Sequence, residues 1–241
     1  TVSKGYENFN FRVNYNHVSQ QGTLLRDLYE RNAFNTSFVQ RLLQNDLKLT
    51  VTAKGMIDES FFVDEGAIGQ AIQFDPTQPV RNPDGSLFQL SQLGNANLAP
   101  ANPLTTLLDN QNRGQTKRFI GNFNVDYKFR FLPELKFNMN AGLDYAENDG
   151  KQFNVPNPNN PGAFAFQNFY SGLNRNTLLD FYFNYKKNLE SFKTILDVTA
   201  GHAYQEFFLS SNQTVTGAGG VLNVNPTIKE RNALESYFAR V

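Results

Sequence analysis

The 241-residue sequence predicts an all-β fold, an antiparallel transmembrane β-barrel segment of about eight strands with long extracellular loops. Three observations carry that expectation. Apolar and polar residues alternate with period two along segment after segment, which gives a strand two unlike faces. The alternating runs exceed the roughly five to six residues usual in globular sheets, and several match the about 9 to 11 tilted residues that cross an apolar layer. Short and long connections alternate strictly between the runs, as in barrels with tight turns on one side of a membrane and long loops on the other.

Taken in order, the first run sets Phe9, Phe11, Val13 and Tyr15 against Asn8, Asn10, Arg12 and Asn14. Residues 34 to 43 form a less regular strand, and Leu47, Leu49, Val51 and Ala53 then oppose Lys48, Thr50, Thr52 and Lys54. Residues 119 to 131 are the plainest case, with Phe, Val or Tyr on nearly every odd position and Asn, Asp, Lys or Arg on most even ones. Three further apolar rows follow: Leu135 to Tyr145, Leu179 to Tyr185, and Phe192 with Leu196, Val198, Ala200 and Tyr204. Residues 235 to 241 begin another strand. Short turns are expected at 44 to 46, 132 to 134 and 186 to 190, and long segments at 19 to 33, 58 to 118, 148 to 167 and 205 to 234. The long segments hold turn formers such as Asn82-Pro83-Asp84-Gly85, Asn157-Pro158-Asn159-Asn160-Pro161-Gly162 and Thr216-Gly217-Ala218-Gly219-Gly220. Helical turns are expected at Glu65 to Phe74 and Leu104 to Leu108, each too short to be a domain.

Composition removes whole classes of function. Lys+Arg 22 balances Asp+Glu 22, so no basic surface tracks phosphates and no nucleic-acid partner is expected. With no cysteine and two histidines there is no disulfide framework and no thiolate metal site, so no metal or cofactor is expected. No Ser lies in a nucleophile-elbow context, and no enzyme or catalytic residue is expected. Gly217-Ala218-Gly219-Gly220 lacks the Lys-Ser/Thr that a phosphate loop requires and reads as a loop. Asp58-Glu59 and Asp64-Glu65 lack calcium-loop spacing and read as solvated acidic loop. Aromatic residues reach 14%, yet the mean hydropathy is −0.47, because Asn is scattered through nearly every segment. The segments lack the 18 apolar residues of a transmembrane helix, and Thr1 to Gly5 does not read as a signal peptide.

Charge placement is the most informative pattern. Arg12, Lys48, Lys54, Asp126, Lys128, Arg130, Lys136, Asp144, Asp180, Lys186, Lys193 and Asp197 all lie on polar rows and none on an apolar row. In a barrel this keeps the lipid face neutral, where a midplane Arg or Lys costs roughly 2 to 4 kcal/mol. A soluble sandwich alternates too, with its polar face in bulk water, so a secreted carbohydrate-binding β-sandwich is the alternative class. A complete eight-stranded barrel is a third reading. The candidate contact residues are Phe153, Phe164, Phe166, Phe169 and Tyr170, clustered near one long segment. They have two readings, a stacking surface for sugar rings or a partner protein, and an aromatic girdle at a membrane interface.

The run Gly121-Asn122-Phe123-Asn124-Val125-Asp126-Tyr127-Lys128-Phe129-Arg130-Phe131-Leu132-Pro133-Glu134-Leu135, followed by Asn140-Ala141-Gly142-Leu143-Asp144-Tyr145, resembles the mid-barrel signature of SusC/RagA-type TonB-dependent outer-membrane transporters. Asn102-Pro103 with Leu107-Leu108, and the closing Glu235-Ser236-Tyr237-Phe238-Ala239-Arg240-Val241, resemble the same family in the same order. The resemblance implies import of glycan or peptide fragments through a barrel of about 22 strands closed by an internal plug. It also implies a SusD-like surface lipoprotein, energy from the TonB complex, and the outer membrane of a Gram-negative bacterium as location. On this reading residues 1–241 are an internal part of one outer-membrane β-barrel domain, and the plug, the TonB-contacting segment and the terminal strand lie outside the sequence.

Overall fold

The computed structural model describes residues 1–94, 99–154, 166–217 and 220–241. Nine strands form one sheet in chain order, each antiparallel to the next. They are β1 Val2–Gly5, β2 Phe9–Gln21, β3 Leu28–Leu42, β4 Leu47–Phe62, β5 Asn110–Lys128, β6 Leu135–Asn154, β7 Phe166–Leu189, β8 Thr194–Gly217 and β9 Gly220–Arg240. Two helices, α1 Gly66–Gln73 and α2 Pro103–Asp109, lie in the β4–β5 connection, close to the helical turns that the sequence predicts. The count exceeds the predicted eight because β1 is four residues long and pairs through its backbone, Val2 with Val13 and Gly5 with Asn10, without an alternating pattern of its own.

The tight turns fall near their predicted places, and one more, at residues 6 to 8, joins the same end of the sheet. Arg130 staples two of them: its Nε donates to Asp46 Oδ2 at 2.8 Å and its guanidinium to the Leu43 carbonyl at 2.6 Å. The far end departs from expectation. Residues 19 to 33 and 58 to 118 hold connections at 22 to 27 and 63 to 109, and most of 205 to 234 is the β8–β9 hairpin. Of the predicted loops, 19 to 33 and 205 to 234 are therefore mostly strand, whereas most of 58 to 118 is connection. In these extensions apolar and aromatic residues such as Phe169, Phe207, Phe208 and Leu209 fall on both faces among polar ones, so the alternation that marks a strand is lost while backbone pairing continues.

Register separates the two faces. One face carries the rows Leu49–Val125–Met139–Phe181–His202 and Val51–Phe123–Ala141–Leu179–Tyr204, and is apolar over a limited band. Phe34, Phe38, Val51, Ile57, Phe119, Leu143, Leu179 and Phe183 all expose 36% to 49% of their surface there. A soluble sandwich buries such a face under a second sheet. Here the sheet is a single layer, and the buried apolar residues among those described are only Ala33, Met56, Ala67, Phe88 and Leu107.

The band ends at an aromatic ceiling. Tyr15, Phe34, Phe119 and Tyr145 share one register row across β2, β3, β5 and β6, which continues as Arg175, Phe208 and Arg231. On β7, β8 and β9 the unbroken apolar run instead ends at Leu179, Tyr204 and Tyr237, where Thr177, Glu206 and Glu235 interrupt it, so the ceiling drops six residues by β9. Six residues at about 3.3 Å against seven strand spacings of about 4.8 Å give a tilt of roughly 30°. That approaches the tilt of roughly 35–45° that closure into a barrel requires. The tilt also places the charges of the apolar face. Arg175, Glu206, Arg231 and Glu235 lie on rows where no charge is predicted, but all sit just beyond the local ceiling. They are compensated: Glu206 accepts from Arg175 at 3.1 Å, from Tyr204 Oη at 2.9 Å and from Arg231 at 2.5 Å, and Glu235 is 2.9 Å from His202 Nε2.

Candidate functional site

The opposite face is built from amides and ion pairs. Asn122, Asn124 and Asn140 form a hydrogen-bonded chain, with Asn122 donating to Asn140 Oδ1 at 2.6 Å. Asn184 donates to Asp197 Oδ1 at 2.7 Å and to Thr199 Oγ1 at 2.9 Å. Charges pair across strands on this face, all but Arg118 among those named from sequence: Arg118 meets Asp144 through two bonds of 2.8 and 2.6 Å, Lys186 meets Asp197 at 3.2 Å, and Lys48 lies 4.0 Å from Asp126. Arg31 and Asp58 form a second two-bond pair, at 2.7 and 2.8 Å, beyond the ceiling. Paired charges and neutral amides give a surface rich in donors and acceptors with little net field.

Further along the strands this face gains an aromatic floor. Tyr170 lies across Gly150 and Gly114, and a Cβ at Gly150 would collide with the Tyr170 ring. Its hydroxyl donates to Asn112 Oδ1 at 3.2 Å, and burial raises its pKa, so the phenol stays a neutral donor. Beside it Asn168 is buried and accepts from Gln213 at 3.1 Å, while Asn225 donates to Gln213 Oε1 at 2.8 Å. An aromatic ring ringed by amides can hold a polar ligand by stacking plus hydrogen bonds.

The structure divides the predicted aromatic residues instead of gathering them. Phe166 and Tyr170 share the amide-rich face, whereas Phe153 and Phe169 fall on the face that carries the apolar band, beyond its ceiling. Phe164 lies outside the described residues, as do Asn157 to Gly162, Ala218 and Gly219. The sequence reasoning did not single out Gly114, Gly150, Asn112, Asn168 or Gln213. Glycine inside a long strand is the signal that marks Gly150, since it accompanies close approach by another group.

A second centre organises the β4–β5 connection. Asn102 is 2% exposed; its Nδ2 donates to the carbonyls of Val80 at 3.0 Å and Phe88 at 2.9 Å, and its Oδ1 accepts from Leu104 N at 3.0 Å to cap α2. Its own N–H donates to Gln89 Oε1 at 3.0 Å, and Gln89 in turn donates to Thr105 Oγ1 at 2.5 Å. Thr106 Oγ1 donates to Gln70 Oε1 at 2.6 Å, tying α2 to α1. The Asn82-Pro83-Asp84-Gly85 turn forms as predicted, closed by Gly85 N donating to Asn82 O at 2.9 Å. Among the described residues no group of three or more His, Asp or Glu side chains is placed to hold a metal.

No family model matches the chain. Over its whole length it is 27% identical, across 274 residues, to the TonB-dependent receptor SusC of Bacteroides thetaiotaomicron. Structures of the RagAB peptide importer superpose on 98% of the chain with TM-scores of 0.77 to 0.78 at 13–14% identity, so that the likeness is one of fold. The chain is SusC/RagA-like. It spans 26% of the SusC sequence and 28% of the matched RagAB chains. In this SusC/RagA-like segment the single-layer sheet is barrel wall, its banded face meets lipid, and its amide face lines the interior. The relatives bear the names of a receptor and an importer, in keeping with a non-enzymatic protein.

Proposed function

We propose that residues 1–241 are part of the β-barrel domain of a longer chain, a TonB-dependent importer of glycan or peptide fragments in the outer membrane of a Gram-negative bacterium. Its plug and terminal strands lie elsewhere in that chain, a SusD-like lipoprotein covers its outer face, and TonB supplies energy through the plug-bearing part. The observation that carries this reading is the Tyr170 floor over Gly150 and Gly114, set among Asn112, Asn168 and Gln213 on the interior face. Tyr170 and Phe166 are the interior contacts we assign to substrate, and Phe153 and Phe169 face the other way. A sugar ring or a peptide plane stacks on Tyr170 while the amides satisfy its polar edge.

Stacking of this kind is worth about 0.5–1.5 kcal/mol, so Tyr170→Ala in the full-length transporter should weaken ligand binding about three- to tenfold without loss of barrel assembly. Calorimetry with purified oligosaccharide and peptide fragments measures it. Unchanged affinity for every fragment that the transporter takes up would remove Tyr170 from the site.

A further inference from the structure

The lipid-facing side carries two adjoining hollows, one of them backed by the Gly114–Gly150–Tyr170 row whose Tyr170 ring lies on the opposite face. At the aromatic ceiling Gly55 opens the wall, because a Cβ there would meet nothing within 4 Å. Its register partners Phe34 and Phe119 stand on either side, 49% and 44% exposed, and with Tyr145 they bound an apolar groove of about 490 Å³. Just beyond, on the same face, lies a cavity of about 570 Å³ of different character. Phe61 lies under the Arg113 guanidinium at 4.5 Å, Gln115 donates to Glu59 at 2.9 Å, and Lys151 and Phe169 are cross-strand partners. The groove extends to Ile57 and Lys117, and the cavity begins at the next register row, Glu59, Gln115 and Asp149. Four residues, from Gly55 to Glu59, span about 13 Å along the strand.

An apolar groove inside the band, continued by a polar and aromatic cavity outside it, matches an amphiphile lying along the wall. Arg113 and Lys151 are balanced at the cavity by Glu59 and Asp149, so no net positive field singles out a lone phosphate. Aromatic faces beside paired donors and acceptors suit the rings and hydroxyls of a saccharide. We propose that this face is a glycolipid site, with an acyl chain in the groove over Gly55 and a saccharide head group between Arg113–Phe61 and Lys151–Phe169. The proposal rests on the transmembrane reading of the sheet and is independent of the transported substrate.

The test uses the full-length transporter, purified in detergent, stripped of lipid, and supplied with a lipid A–core oligosaccharide glycolipid or, separately, with phosphatidylethanolamine. Native mass spectrometry counts the lipid retained. The expected result is one glycolipid per chain, held about tenfold more strongly than the phospholipid. Gly55→Trp, which fills the groove, and Phe169→Ala, which strips the head-group wall beyond the band, should each lower retention about fivefold with normal heat-modifiable mobility. Should Gly55→Trp fail to assemble, Phe169→Ala alone decides. Equal retention of the two lipids, or undiminished glycolipid retention by the variants, overturns the proposal. So does a dimer that Gly55→Trp splits, because a second copy would then be the occupant. A parent protein that stays folded without detergent defeats the transmembrane reading instead, a distinct outcome.

Discussion

Gly150 and Tyr170 show how a missing side chain creates a binding surface. Without a Cβ at Gly150, the Tyr170 ring lies against the backbone of β6, and its hydroxyl reaches Asn112 on β5. Gly150→Val should therefore lift the ring off the wall and reproduce the affinity loss of Tyr170→Ala, although it alters no group that a ligand would touch. The double variant should be no worse than either single one, since both remove the same platform. Calorimetry on the four proteins checks this, and additive losses would mean that the two residues act separately. Neighbouring residues of one strand divide just as sharply. Phe169 and Tyr170 are adjacent in sequence and lie on opposite faces, so their proximity in sequence conceals two different environments.

At the scale of an element, the β4–β5 connection depends on Asn102. Its side chain caps α2 and satisfies two carbonyls from the segment before it. Asn102→Ala removes a cap worth about 1 kcal/mol and strands buried carbonyls at about 1–3 kcal/mol. Limited proteolysis should then cut within 63 to 109 while the barrel itself assembles normally. Protection equal to the parent's would show that α1 and α2 hold the connection without it.

Within the band the sequence was legible, because lipid on one side and water on the other impose opposite chemistry on successive residues. Val125 and Asn124 take the faces that their alternation predicts. Above the ceiling apolar and aromatic residues such as Phe207, Phe208 and Leu209 fall on both faces among polar ones, so no alternation distinguishes a paired strand from a loop, and the β8–β9 hairpin went unread. The Asn102 network was illegible for another reason. Its partners Val80, Phe88, Gln89 and Thr105 come together only through tertiary packing. Asn102-Pro103 nevertheless carries a local signal, a capping residue followed by Pro at the first helical position.

For the whole molecule the decisive contrast is between Val125→Arg and Asn124→Arg. The first places a cation in hydrocarbon at roughly 2–4 kcal/mol near midplane, and the second places it among the hydrated amides of the interior. Heat-modifiable mobility of the full-length transporter should show impaired assembly for Val125→Arg alone. Normal assembly of that variant would sink the membrane reading. The topology is tested by single cysteines at Glu134, in a tight turn, and Asp84, in the β4–β5 connection. On intact cells an impermeant thiol reagent should label Asp84→Cys and spare Glu134→Cys, and the reverse pattern would invert the orientation.

The slant of the ceiling leaves the wall with very unequal free height. Beyond it β2 continues six residues, from Tyr15 to Gln21, and β4 seven, from Gly55 to Phe62, whereas β8 continues from Tyr204 to Gly217 and β9 from Tyr237 back to Gly220. Each extension is a single sheet layer clamped at one end by the bilayer, which makes it a cantilever. Deflection under a given load rises steeply with the length of such a beam, so the β7–β9 side is the compliant one. The β2–β4 side is the stiff one, and the α1–α2 connection braces it further. A force applied to the rim would bend the tall side first and turn a symmetrical push into a sideways lean.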